Sequence, residues 1–182
     1  VMAGTQPVMM NTSVPFTAEA FANSALHLKA EKKFTALVPT QLTRLAKAAK
    51  HDDFVLEQLR KFDAILVGGQ ATDHVLIGEL ESLGVNIVTT YGMTETCGGC
   101  VYDGMPLDGV TVAIDDMSRV ILGGPSIALG YRRDSAMTAQ HFTAEGFRTS
   151  DLGELIDGRL RILGRIDDVV TVNGVNVSLT AV

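Results

Sequence analysis

The chain has little of what several protein classes require. It contains no tryptophan, only two cysteines and 5% aromatic residues. Positive charge is also scarce, because 15 Lys and Arg stand against 21 Asp and Glu for a formal net charge of −6. A nucleic-acid interface needs clustered basic residues, so we expect no nucleic-acid partner. No apolar run reaches the roughly 18 residues of a membrane helix, so we expect no membrane span.

The two cysteines, Cys97 and Cys100, form a C-x-x-C pair. Such a pair can be a redox dithiol or half of a zinc site. A zinc site would need two more ligands, but the sequence has no third cysteine and its histidines have no ligand-like spacing to the pair. A redox dithiol usually begins a helix, whereas this pair lies in a Gly-rich stretch. We therefore expect free thiols in a reducing, cytoplasmic compartment.

Hydrophobic periodicity alternates helix and strand over the first 90 residues. Helices are predicted at 17–31, 40–50, 52–62 and 72–84. Strands are predicted at 33–39, 63–69 and 85–90. The order strand, helix, strand across 63–90 is a βαβ unit, so its two strands should be parallel neighbours in one sheet.

The pattern becomes β-rich after residue 100. Short strands are predicted at 109–115, 119–124, 151–157, 159–165 and 169–177, with one short helix at 132–142. Asp157-Gly158 is a hairpin signal between two of these strands. The fold class expected is α/β, with a βαβ parallel-sheet half followed by a small antiparallel, barrel-like half.

Two glycine-containing segments follow neighbouring predicted strands, GGQA at 68–71 and YGMTE at 91–95. Ligands of open α/β sheets bind beyond the carboxyl ends of the strands, so these segments define one candidate site. A carboxylate such as Glu95 is a good Mg²⁺ ligand, and Mg²⁺ commonly bridges to nucleotide phosphates. Thr94 could donate to a phosphate and Tyr91 could stack on a base. The alternative is an ordinary loop with an exposed glutamate.

Four later residues complete the set of candidate site residues. Asp151 could hold ribose hydroxyls, as acidic residues do in dinucleotide sites, or could be a turn residue. Arg165 could reach a phosphate or a ribose with its planar fork. Asp167 and Asp168 are adjacent and would face opposite ways on a strand, so a turn or hinge fits better than an acid/base pair.

Three motifs in this order and spacing resemble the adenylate-forming superfamily of acyl-CoA synthetases, adenylation domains and luciferases. They are YGMTET, then RVILGGPSIALGY, then EGFRTSDLGEL with DGRLRILGRIDD. The match covers roughly residues 35–180. The continuation GGCVYDGMPLDGV is similar to the o-succinylbenzoate–CoA ligases of menaquinone biosynthesis.

The resemblance implies a role for each matching position. Thr94 and Glu95 would be catalytic, with Thr94 at the α-phosphate and Glu95 as the metal ligand. Tyr91 would stack on adenine, whose other face lies on the backbone at 68–70. The implied nucleotide-binding positions are Gly68, Gly69, Gln70, Ala71, Tyr91, Gly92, Met93, Asp151 and Arg165. Asp167 would be the hinge of a mobile C-terminal domain.

The implied activity is that of an ATP-dependent acid–CoA ligase, with ATP, Mg²⁺ and coenzyme A as cofactors and a small carboxylic acid as substrate. The acid would join AMP with release of pyrophosphate, and the coenzyme A thiol would then displace AMP. The implied domains are an α/β subdomain at 1–100, a β-rich subdomain at 101–166, and a hinge with the start of a C-terminal domain at 167–182.

The sequence departs from the family in two places. It shows no Gly/Ser/Thr-rich phosphate loop, and its last lysine is Lys61, so the family's late catalytic lysine has no counterpart. We therefore expect an internal fragment of a longer enzyme, inactive alone, with exposed apolar surface through which a homodimer could form. The alternatives are a non-catalytic adenylate-binding module, another aryl or fatty acid–CoA ligase, and a peptide synthetase adenylation domain.

Overall fold

Side-chain caps start three of the four described helices in the first part of the chain. The computed structural model describes residues 6–11, 13–69, 73–172 and 175–178. Thr17 accepts a hydrogen bond from the Ala20 N–H at 3.1 Å, and Asp52 accepts one from the Phe54 N–H at 2.9 Å. Each cap satisfies an amide that the helix itself leaves without a partner. The chain divides into a first unit, Val1–Thr89, and a second unit, Thr90–Val182.

The first unit alternates helices and strands, as predicted. Its elements are α1 (Ala18–Leu26), β1 (Phe34–Leu37), α2 (Pro39–Ala49), α3 (Asp53–Arg60), β2 (Ala64–Gly68), α4 (His74–Ser82) and the start of β3 (Ile87–Met93). β1 and β2 pair in parallel, and β2 lies between β1 and β3 in the strand order. The predicted neighbours of the βαβ unit are therefore neighbours in the sheet.

The helices of the first unit cover an apolar core. The fully or nearly buried members include Leu42, Leu45, Val55, Leu59, Ile65 and Leu80. Leu42 and Leu45 lie on the buried face of α2 together with Ala46 and Ala49. Burial of such side chains supplies most of the favourable free energy of a small α/β unit.

Several element ends in the first unit differ from the prediction by one to five residues. α1 ends at Leu26 rather than at residue 31, because the chain leaves the helix through a tight turn and Leu28 packs against the core. The predicted start of α4 at residue 72 lies outside the described residues. β3 continues to Met93 rather than ending at residue 90, so it runs through the division between the units.

The second unit is antiparallel. Its elements are β4 (Gly98–Tyr102), β5 (Met105–Pro106), β6 (Thr111–Ile114), β7 (Arg119–Gly123), α5 (Ser135–His141), β8 (Phe142–Thr143), β9 (Gly146–Ile156), β10 (Arg159–Arg165), β11 (Val169–Val172) and β12 (Val175–Ser178). The end of β3 pairs with β4, and β4 pairs with β5. The strands β10, β9, β7 and β6 form a second sheet in that order, with β8 on β9.

The predicted fold class, α/β followed by a small antiparallel half, is confirmed. Several details were wrong or missed, among them the start of β9, which is Gly146 rather than the predicted residue 151. The predicted strand 169–177 is two paired strands, β11 and β12, separated in the sequence by Asn-Gly. β4 was not predicted, because the glycines of CGGC weaken the strand signal. Within the described residues, no helix has both the length and the apolarity to cross a membrane.

Candidate functional site

The first candidate residues, Thr94 and Glu95, lie on a turn that a buried threonine hydroxyl stabilises. After β3, residues Thr94–Thr96 form one 3₁₀ turn. The buried Thr96 hydroxyl accepts from the Met93 N–H at 2.9 Å and donates to the Gly98 carbonyl at 2.6 Å. Thr94 is exposed and Glu95 is half-buried. The Thr96 hydroxyl therefore fixes the backbone of the turn. That backbone carries Thr94 and Glu95, which are predicted to contact the phosphate and the metal.

Gly92 and Met93 have packing roles that the sequence did not reveal. A Cβ at Gly92 would clash with the Gly98 carbonyl oxygen and lie 2.7 Å from the Cα of Gly99. Gly92 thus allows β3 and β4 to approach closely. Met93 packs against the apolar cluster of the second unit. Their predicted contact with a nucleotide stays a prediction.

Tyr91 and Asp151 meet although 60 residues separate them. The Tyr91 hydroxyl donates to Asp151 Oδ2 at 2.7 Å. Asp151 is only 6% exposed, and its N–H donates to the buried Thr149 hydroxyl at 3.0 Å. Burial, and then the charge of Asp151, raises the pKa of Tyr91 well above its ordinary 10.0. Tyr91 is therefore a neutral donor to a buried carboxylate.

Arg165 links the Tyr91–Asp151 pair to Asp167. It lies directly opposite Asp151 in the β9–β10 register. Its guanidinium contacts Asp151 Oδ1 at 3.3 Å and Asp167 Oδ2 at 3.1 Å. The Arg165 side chain is 50% exposed and that of Asp167 is 62% exposed. The structure thus brings together four predicted residues in one polar chain, Tyr91–Asp151–Arg165–Asp167.

Tyr131 is a site residue that the sequence analysis missed. Its hydroxyl donates to Glu95 Oε1 at 2.8 Å. Burial and then the hydrogen bond to Glu95 raise the pKa of Tyr131 to about 12. The sequence signal for Tyr131 was the Gly130-Tyr131 pair followed by Thr138. The Thr138 hydroxyl accepts a hydrogen bond from the Tyr131 N–H.

The surroundings of Glu95 fit magnesium held jointly with phosphates. Mg²⁺ usually takes one or two carboxylates and completes its shell with water and substrate phosphates. Glu95 provides one carboxylate, and its second oxygen is not used by Tyr131. Among the described residues there is no group of three or more potential metal ligands, so a cation held by the protein alone does not fit.

Asp151 can contact a ribose only if its present hydrogen bonds are shared with the ribose hydroxyls or are exchanged for them. Both carboxylate oxygens already accept hydrogen bonds, one from Tyr91 and one from Arg165. Each oxygen has a second lone pair, so ribose hydroxyls could be added or could replace Arg165.

The glycine segment of the first unit is described only in part. Gly68 ends β2, and Gly69 has φ 88°, a backbone conformation that favours glycine. Gln70 and Ala71 lie outside the described residues. The adenine contact predicted for this segment stays a prediction.

The cysteines differ in environment. Cys97 is exposed and Cys100 is buried, and both are free thiols. Burial raises the pKa of the Cys100 thiol. A buried thiol with a raised pKa is a poor nucleophile, which disfavours a redox role for the pair.

Comparison with known proteins identifies the family. Residues 1–131 match the AMP-binding enzyme family. A probable 2-succinylbenzoate–CoA ligase of Mycobacterium tuberculosis is 36% identical over 181 residues, which cover 97% of this chain and 46% of that protein. An atromentin synthetase of Tapinella panuoides is 30% identical over 69% of this chain and 17% of its own length.

Solved structures have the same fold. E. coli MenE with bound OSB-AMS is 27% identical, with a TM-score of 0.71 over 88% of this chain and 35% of that one. Bacillus subtilis MenE in complex with AMP is 22% identical, with a TM-score of 0.79 over 92% of this chain and 38% of that one.

The chain therefore belongs to the AMP-binding enzyme family, which confirms the resemblance found in the sequence. It spans about half the length of the M. tuberculosis ligase.

Proposed function

We propose that the chain is the nucleotide-binding part of an AMP-forming acid–CoA ligase whose acid is o-succinylbenzoate, in menaquinone biosynthesis and in the cytoplasm. The observation that carries this proposal is the 36% identity to the 2-succinylbenzoate–CoA ligase over 97% of the chain. Binding of OSB-AMS by E. coli MenE, at 27% identity, supports the same acid.

The second unit supports the nucleotide half of the proposal. In this assignment Asp151 accepts from the ribose hydroxyls, Arg165 assists there, and Tyr91 stacks on adenine while it stays bonded to Asp151. Thr94 is exposed and free to donate to the α-phosphate. The backbone at 68–71 and at Gly92-Met93 would line the remaining faces of the nucleotide.

The reaction proceeds in two transfers. An acid oxygen attacks the α-phosphorus of ATP, the bond to the β-phosphate bridging oxygen breaks, and pyrophosphate leaves. The coenzyme A thiol then loses its proton to solvent and attacks the acyl carbon, the bond from that carbon to the phosphate oxygen breaks, and AMP leaves. Bound Mg²⁺ would offset the negative charge of the phosphates. Glu95 would hold it, and Thr94 would orient the α-phosphate for the first transfer.

Asp167 would be the hinge between the two transfers. It is exposed and tied to Arg165, which is itself tied to Asp151. A hinge needs a few residues that absorb a backbone change, and a 3₁₀ turn at Ile166–Asp168 joins β10 to β11. The proposed domains keep the boundaries 1–100, 101–166 and 167–182.

The test is carboxylate-dependent ATP–pyrophosphate exchange by the protein expressed from its complete reading frame. Exchange with o-succinylbenzoate, and not with a panel of aryl and fatty acids, is expected, as is its loss in Glu95→Gln. Exchange with another acid would replace the substrate and keep the mechanism. Absence of exchange with every acid, in a folded protein that binds ATP, would favour a non-catalytic adenylate-binding module.

A further inference from the structure

One segment of the second unit holds Glu95 at two points. The Ala128 N–H donates to the Glu95 backbone carbonyl at 2.8 Å. The Tyr131 hydroxyl donates to the Glu95 carboxylate at 2.8 Å. The first bond fixes where the residue lies, and the second fixes where its side chain points.

Tyr131 is itself held in place. Its N–H donates to the Thr138 hydroxyl at 2.9 Å, and that hydroxyl donates to the Asp134 carbonyl at 2.7 Å. The Tyr131 ring packs edge-on against Phe142, with centroids 5.4 Å apart. Gly130 has φ 144°, and a side chain there would clash with Thr138. The backbone and the ring of Tyr131 are thus both fixed, so its hydroxyl has a defined position.

The phenol is suited to orient a carboxylate without neutralising it. Tyr131 acts as the donor in this contact, because a phenol presents one O–H whereas a carboxylate oxygen accepts. It occupies Oε1 of Glu95 and leaves Oε2 available. Hydrogen bonds of this kind to a ligating group commonly set both its orientation and its affinity for the metal.

We propose that Tyr131 is a positioning residue whose hydroxyl orients the Glu95 carboxylate toward the divalent cation that accompanies the nucleotide phosphates. The inference rests on the proposed function, because that function supplies the cation and the nucleotide. It adds a residue to which the sequence analysis gave no role.

The test measures metal binding directly in the complete protein. Mn²⁺ serves as the probe, and its affinity in the presence of ATP is measured by electron paramagnetic resonance. Tyr131→Phe keeps the ring and removes only the hydroxyl. We expect it to weaken Mn²⁺ binding about tenfold, within the range typical for partners of metal ligands. Tyr102→Phe, which removes a hydroxyl from β4 in the same unit, is the matched control and should leave the affinity unchanged.

A double-mutant cycle separates positioning from general destabilisation. Glu95→Gln should weaken Mn²⁺ binding at least as much as Tyr131→Phe, and adding Tyr131→Phe to Glu95→Gln should have no further effect. A structural role alone would instead lower the melting temperature in both backgrounds. If Tyr131→Phe does not fold, Thr138→Val, which removes the acceptor for the Tyr131 N–H, should weaken Mn²⁺ binding in the same direction.

The outcomes distinguish this inference from the proposed function. Wild-type Mn²⁺ affinity in Tyr131→Phe, together with weakened binding in Glu95→Gln, would overturn the positioning role alone. Wild-type affinity in Glu95→Gln would overturn both the metal assignment and the inference. Tyr131→Phe could weaken Mn²⁺ binding in a protein whose wild type shows no ATP–pyrophosphate exchange with any acid. That result would support the positioning role and contradict the proposed ligase activity.

Discussion

The described part of the first unit buries mainly hydrophobic side chains, whereas that of the second unit also buries three hydrogen-bonded polar ones. The core of the first unit draws on every helix and strand of that unit. The buried cluster of the second unit is smaller and consists of Cys100, Val101, Val120, Leu122 and Leu160. Of the described buried polar residues, Gln58 lies in the first unit, and the others lie in the second: Thr96, Thr149 and Asp151.

The difference fits the proposal that the first unit is a scaffold and that the second unit carries the site. Apolar burial is non-directional and stabilises a unit without presenting chemical groups. A buried carboxylate costs free energy unless its hydrogen-bond partners are placed accurately, so the partners of Asp151 must hold defined positions. All three tyrosines also belong to the second unit, and most of the described helix belongs to the first. Tyrosine fluorescence and far-UV circular dichroism therefore report mainly on different units.

The largest effect is expected from the first unit's core. Leu45→Ala removes a side chain with 0% exposure and should lower the free energy of unfolding by about 2–5 kcal/mol. Denaturant unfolding followed by circular dichroism measures this loss. Leu26→Ala, at a residue 50% exposed, is the control and should cost much less. Equal costs for the two variants would contradict the scaffold role of the core.

A smaller effect is expected where β3 meets β4. Gly92→Ala places a Cβ against the Gly98 carbonyl, so the strands must separate at a cost of about 1–3 kcal/mol. Gly78→Ala is the matched change in the first unit, on an exposed face of α4 with nothing within 4 Å. It should instead stabilise the chain by about 0.5–1 kcal/mol. Tolerance of Gly92→Ala in denaturant unfolding would show that the close approach is not required.

The third effect is a pH dependence of the second unit. The raised pKa of Tyr91 means that the folded chain keeps a proton that the unfolded chain loses above pH 10.0. The contribution of Tyr91 to the free energy of unfolding is therefore fully present below pH 10.0. Above pH 10.0 the free energy of unfolding falls, by at most about 1.4 kcal/mol per pH unit for this tyrosine. Tyr91→Phe should reduce the slope at high pH in unfolding measured by tyrosine fluorescence.

Tyr131→Phe is the control variant for the slope of the free energy of unfolding against pH. Its phenol has a pKa of about 12, so its own contribution is confined to the interval from 10.0 to about 12. Identical slopes in wild type and Tyr91→Phe would contradict the buried tyrosine–carboxylate pair.

Local patterns predicted much of the first unit and little of the contacts in the second. Periodicity and caps identified α2, α3 and β2, because their signals lie within a few residues of one another. They also identified Glu95 and Asp151 as candidates. The contacts of those candidates were not predictable, since Tyr91 reaches Asp151 across 60 residues and Tyr131 reaches Glu95 across 36. β4 was missed for a different reason, because the glycines of CGGC weaken the strand signal.

The most direct test of the central claim is ATP binding by the chain, measured by isothermal titration calorimetry in two matched variants. Asp151 and Glu154 both lie on β9, and each pairs with an arginine of β10 at 3.3 Å. Asp151 is buried beside Tyr91, whereas the side chain of Glu154 is 42% exposed. Asp151→Asn should weaken ATP binding about tenfold or more, equivalent to about 1.4 kcal/mol, and Glu154→Gln should not change it. Equal affinities for wild type and a folded Asp151→Asn would contradict the claim that the polar chain of the second unit binds the nucleotide.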